Sequence, residues 1–165
     1  MSLPDLAAVL WRQREMLEEL SFRLECEQLL LAAGRTRRLA RATGEVETLL
    51  DQLQLLEIHR AAASDLACRE VGLPPGARLE ELAAAAEPPW SGVLLEHRNA
   101  LLTLTGELSV LAETNRHLMS AGFRAVESAL ARLGVHPGPS SVGYDAQGRT
   151  GLPVIGASTV VDRNL

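Results

Sequence analysis

Leucine and alanine, with an occasional polar substitute, recur on alternating three- and four-residue steps over three long stretches of this chain. A period near 3.5 residues sustained that long is satisfied by amphipathic helices packed along their length. The first series runs Leu3, Leu6, Leu10, Leu17, Leu20, Leu24 and Leu31, with Gln13 and Glu27 in the gaps. It predicts one helix over residues 3–33, ended by Gly34. The second, Leu39, Ala42, Val46, Leu49, Leu53, Leu56, Arg60, Ala63 and Ala67, predicts a helix over 36–70. So short a connection permits only an antiparallel hairpin.

Gly72, Pro74, Pro75 and Gly76 interrupt the pattern, a short helix fits residues 77–86, and Pro88-Pro89 interrupts it again. This stretch reads as an elbow. The third series, Leu94, His97, Leu101, Leu104, Leu108, Leu111, Asn115, Leu118, Gly122, Ala125 and Ala129, predicts a helix over 91–133, stopped by Gly134 and Pro137. The expected fold is therefore all-α: an elongated, antiparallel, coiled-coil-like bundle of three long helices plus a short elbow helix. The helical domain spans 1–133. Beyond it, the Gly, Pro and Ser content of residues 134–165 predicts a flexible C-terminal tail, in which Leu152-Pro153-Val154-Ile155 and Thr159-Val160-Val161 are short apolar segments that a partner could order.

The third helix is the longest, at roughly 65 Å against roughly 46 Å and 52 Å for the others. If it starts beside the end of the second, it overhangs the Gly34 hairpin with Met119, Phe123, Val126, Leu130 and Leu133 on one face. By the residues alone these side chains could fill the protein's own core or meet a partner. Asn115, a polar residue in the apolar seam, either fixes register or contributes to binding.

Composition narrows the functional classes. A net charge of −5 and a pI near 5.4 disfavour a nucleic-acid binder. Asp5 stands where a secretion signal would carry basic residues, and charges interrupt every apolar stretch before a membrane span accumulates, so a cytoplasmic protein without membrane insertion is expected. Cys26 and Cys68 have neither metal-ligand nor redox spacing, and the hairpin would hold them far apart. Glu113 and His117, four apart, read as a solvated helical pair; no Glu-x-x-His pair, Gly-rich phosphate loop or exposed nucleophile turn occurs. Neither an enzyme nor a cofactor is expected. The arginines at 35, 37, 38 and 41 read as a solvated hairpin tip.

Several segments in order resemble the FlgN family of flagellar type III export chaperones, over about residues 6–149. They are Leu17-Glu18-Glu19-Leu20 with Glu25 and Glu27, the hairpin at Ala33-Gly34, Val46-Glu47-Thr48-Leu49-Leu50 with Leu53 and His59-Arg60, and the elbow Arg78-Leu79-Glu80-Glu81-Leu82. The densest are Asn115-Arg116-His117-Leu118-Met119 and Tyr144-Asp145-Ala146-Gln147-Gly148-Arg149, which is similar to the family's terminal Tyr-x-x-x-Gly signature. The chain departs from the pattern in its apolar tail after Gly151 and its Ala-rich elbow.

The resemblance implies a cytoplasmic chaperone that binds C-terminal helical segments of hook-associated proteins, prevents premature assembly and delivers them to the export gate. It implies a client site around Asn115, Leu118, Met119, Phe123, Val126 and Leu130. It further implies docking to the cytoplasmic domain of the gate through Tyr144, with Gly148. A monomer or weak dimer is expected. The alternative is a structural or adaptor coiled coil that oligomerises through its heptads.

Overall fold

The computed structural model describes residues 2–133, and these form four helices: α1 (Ser2–Ala32), α2 (Thr36–Glu70), α3 (Leu79–Ala85) and α4 (Trp90–Arg132). The hairpin between α1 and α2 closes at Gly34, whose φ of 64° is a left-handed value that suits glycine. Arg35 N–H donates to Leu30 O at 2.9 Å and Gly34 N–H to Leu31 O at 3.1 Å, capping two carbonyls that the end of a helix leaves open. Gly72 ends α2 in the same way, with Leu73 N–H donating to Cys68 O at 2.8 Å. The elbow is tied down at both ends. Asp65 Oδ1 accepts from Gly76 N–H at 2.9 Å, and Glu81 reaches back to the Arg78 N–H at 2.8 Å to start α3.

Burial along the heptads identifies the central helix. α1 buries both seam positions throughout, from Leu3 and Leu6 through Leu10, Gln13, Leu17, Leu20 and Leu24 to Glu27. In α2, by contrast, Val46, Leu53, Arg60 and Ala67 are buried while Leu49, Leu56 and Ala63 are half-buried. In α4, Leu94, Leu101, Leu108 and Asn115 are buried while Leu104 and Leu111 are half-buried. Only α1 is flanked by two long helices.

Directions follow from cross-helix contacts. Gln13 reaches Glu57 at 3.3 Å, Arg23 reaches Glu45 at 2.6 Å and Glu27 reaches Thr43 at 2.7 Å, so α2 is antiparallel to α1. Arg14 meets Glu96 at 3.4 Å and Asn115 meets Glu27 at 3.1 Å, so α4 runs parallel to α1.

Among the three long helices, the α2 and α4 backbones do not come within 8 Å, Cα to Cα. The same holds for α1 and α3, whereas α1–α2, α2–α3, α3–α4 and α4–α1 all pack. The helices form a ring of four corners with open diagonals. One corner is filled only by the single short helix α3.

Cys68 is buried and Cys26 half-buried, both as free thiols. Among the described residues no helix is long and apolar enough to cross a membrane.

Buried leucines outweigh surface ion pairs here, since each contributes about 1.5–3 kcal/mol by burial while an exposed pair contributes about 0–1 kcal/mol. Leu20→Ala, at a fully buried seam position, should cost about 2–5 kcal/mol in urea unfolding. Arg41→Ala, which removes an exposed contact to Glu45, should cost under about 1 kcal/mol. His97 is buried against the edge of Trp11, with ring centroids 6.0 Å apart, and burial followed by the nearby Arg14 charge pushes its pKa below the ordinary histidine value. The unfolded chain therefore binds the proton more readily than the folded one. Stability associated with His97 is full above about pH 6.5 and falls as pH drops below it, until the lowered folded pKa is passed. Urea midpoints of wild type and His97→Asn should converge on acidification through that window.

Candidate functional site

The end of α4 is placed by the length of α1. Glu27 lies beside Asn115, so five more residues bring α1 to its end at Ala32, level with about Ser120 of α4. From there α4 continues to Arg132, roughly 18 Å at 1.5 Å per residue. Every residue from Ala121 to Ala129 is exposed.

Of the expected site residues, Asn115 stands apart. It is 2% exposed, and its Nδ2 donates to Leu24 O at 2.8 Å and to Glu27 Oε2 at 3.1 Å. The other oxygen of Glu27 accepts from Thr43 Oγ1 at 2.7 Å, so one carboxylate links α1, α2 and α4 in a single layer. The Asn115 Oδ1 is buried as well, without a hydrogen-bond partner among the described residues, so the amide presents nothing to the solvent. Its place is beneath the exposed face, where it fixes the level at which α4 leaves the bundle.

Of the other five, Phe123, Val126 and Leu130 lie on the protruding segment, and Leu118 and Met119 stand just before it, level with the last turn of α1. Met119 is 40% exposed, Phe123 48% and Val126 58%, with Leu118 and Leu130 half-buried and Leu133 76% exposed at the tip. Met119, Phe123, Val126, Leu130 and Leu133 follow three- and four-residue steps and form one stripe. Gly122, Ala125 and Ala129 continue the seam beside it with minimal side chains. The elbow helix does not cover this face, because Glu80 of α3 meets Arg98 near the opposite end of α4 at 2.9 Å.

The base of the segment is polar. Glu113 accepts from Arg116 at 2.7 Å and pairs with His117 at 2.9 Å, all three exposed. The Arg116 hydrogen bond and charge hold the Glu113 carboxyl below its ordinary pKa. Among the described residues no three His, Cys, Asp or Glu side chains come together as a metal site.

Seam periodicity did not single out a second apolar line on the outer surface of α1, where Trp11, Phe22 and Leu29 are all more than half exposed. Their spacings of eleven and seven residues place them on one face. Arg14 lies over the Trp11 ring at 5.3 Å and Arg23 over Phe22 at 5.8 Å, so arginine side chains shield both rings. Leu55, Ile58 and Leu66 are likewise exposed on α2.

Tyr144 and Gly148, together with the tail that carries them, lie outside the described residues. No curated protein and no solved structure matches the chain. A family model described as FlgN protein matches residues 1–151, a span that takes in the whole helical ring and the Tyr144–Arg149 segment and stops short of the apolar tail. The chain belongs to the FlgN family of flagellar export chaperones.

Proposed function

We propose that the chain is a cytoplasmic chaperone that binds C-terminal helical segments of hook-associated proteins on the protruding end of α4 and hands them to the export gate. The observation that carries this reading is the protrusion itself: α4 outruns α1 and keeps Met119, Phe123, Val126 and Leu133 exposed on one side. A client whose amphipathic helices self-associate is kept unassembled when those apolar faces are held against such a stripe. Leu118 and Leu130 extend the contact, and the flexible thioether of Met119 adapts to more than one partner. Asn115 serves the site from below, holding the segment at a fixed level.

Tyr144, with Gly148, is assigned to the cytoplasmic domain of the gate. The ten residues from Gly134 to Gly143, as a flexible coil, reach roughly 18 Å, so client and gate could be held together. A single aromatic anchor contributes about 2–4 kcal/mol, compatible with release after delivery.

Replacing Met119 and Phe123 together with Ser should weaken binding of a hook-associated protein's C-terminal fragment at least tenfold, measured by titration calorimetry, with helical circular dichroism retained. Unchanged affinity would place the client elsewhere. Tyr144→Ala should leave that affinity intact while reducing capture by the isolated cytoplasmic domain of the gate; equal loss of both would overturn the division of roles. Size exclusion of the chain alone should give a monomer or weak dimer. Oligomers growing with concentration would favour the adaptor coiled coil instead.

A further inference from the structure

The incomplete corner of the helix ring has a direction, a length and a resident example of what fits it. α3 packs on α4 and α2 while its backbone stays more than 8 Å, Cα to Cα, from α1, which is the position of a fourth helix in a four-helix bundle. It enters with Leu79, Leu82 and Ala83 buried, and its Glu80 pairs with Arg98 of α4 at 2.9 Å. But α3 has 7 residues against 31 in α1. It covers about one turn in four of the corner's length along the ring.

Arg98 marks the edge of α4 that faces this corner. The same edge repeats every seven residues at Thr105, Ala112, Met119, Val126 and Leu133. A straight helix would drift about 20° per heptad from such a line, yet the neighbouring seam residues Leu94, Leu101, Leu108 and Asn115 all stay buried, so α4 holds register along α1. The edge therefore continues to face the open corner. On α2, Thr43, Leu50 and Glu57 recur at the same seven-residue spacing and are half-buried, with Thr43 and Glu57 hydrogen-bonded to Glu27 and Gln13 of α1. Past the hairpin, α4 is the one described helix that continues the corner.

We infer that the client helix, on the reading proposed above, enters this corner end to end with α3 and completes the four-helix bundle, so that the exposed tip of α4 is the outer half of a longer track. From Thr105 to Leu133 the track measures roughly 42 Å, room for a helix of about 28 residues. Its chemistry changes along its length. Thr105 and Ala112 are small and admit large apolar side chains close to the backbone, whereas Met119, Val126 and Leu133 project and suit smaller or flexible ones. The partner is an amphipathic helix with its bulkiest apolar residues toward the α3 end.

The test uses the full chain and a hook-associated protein's C-terminal fragment as probe. Ala112→Arg should lower affinity at least tenfold, whereas Val110→Arg, at a 70% exposed position on another side of α4, should leave it unchanged, both variants remaining helical. In a Cys26→Ser background, an environment-sensitive dye on Ala112→Cys should emit as in water until the fragment is added, then shift to the blue. A dye on Val110→Cys should not respond. If Ala112→Arg binds like wild type while the Met119/Phe123 double variant does not, the client uses the tip alone and the track is wrong, though the chaperone reading stands. If wild type itself fails to bind the fragment, the reading beneath it fails too. A dye at 112 already blue-shifted without fragment overturns the assignment in either of two ways. Reversal on dilution makes the occupant a second copy, and reversal by Leu152→Ser with Ile155→Ser makes it the chain's own tail.

Discussion

Everything in this molecule hangs on the α1 seam. A helix that buries both seam positions from Leu3 to Glu27 needs cover from two sides at once, and α1 receives it from an antiparallel α2 and a parallel α4. Each neighbour commits one seam position in seven along most of its length, with Leu49, Leu56 and Ala63 of α2 and Leu104 and Leu111 of α4 half-buried and further burial, at Ser64, Cys68 and His97, confined to the end next to the elbow. The hydrophobic stabilisation is concentrated in one helix, while the flanking helices retain surface for other contacts. This asymmetry distinguishes the fold from a closed three-helix coiled coil, in which all three seams would be equivalent.

Polar residues within that seam set the levels. Gln13 with Glu57, and Glu27 with Thr43 and Asn115, make two layers whose hydrogen bonds are lost if a helix slides by a heptad. Arg60, buried in the α2 seam, is held by Glu57 through Nε at 2.8 Å, which joins it to the first of these layers. Leucines alone would tolerate several registers, because one heptad looks much like the next. Buried polar groups penalise the wrong ones, at a cost of about 1–3 kcal/mol for each donor or acceptor left unsatisfied.

The sequence made the helices, the Gly34 hairpin and the surplus length of α4 legible because each depends on local periodicity or on a turn residue with one conformational use. It was silent on which helices touch. A heptad residue states that it will be buried but not against what, so Leu49 and Leu111 looked equivalent to Leu17 although they end half-exposed. Asn115 was ambiguous for the same reason, since register fixing and binding both place an amide in an apolar row. Only the spatial position of Glu27, 88 residues away in sequence, separates them. Trp11 and Phe22 escaped notice because their shielding by Arg14 and Arg23 lies off the seam. The expectation for Tyr144 rests on the short signature around it, which local physical chemistry alone does not produce, and it falls outside the described residues.

The parallel course of α1 and α4 makes the exposed tip a remainder. What protrudes is whatever length α4 has left after the hairpin has used its share, so the extent of the apolar face is governed by residues that never touch it. A heptad inserted into α1 and matched in α2 would raise the hairpin by roughly 10 Å and draw Phe123 and Val126 inside the bundle. A heptad deleted would leave Asn115 stranded in solvent. The paired helices thus act as a gauge: evolution can retune how much of α4 is offered by changing the hairpin's length while leaving the offered surface itself untouched.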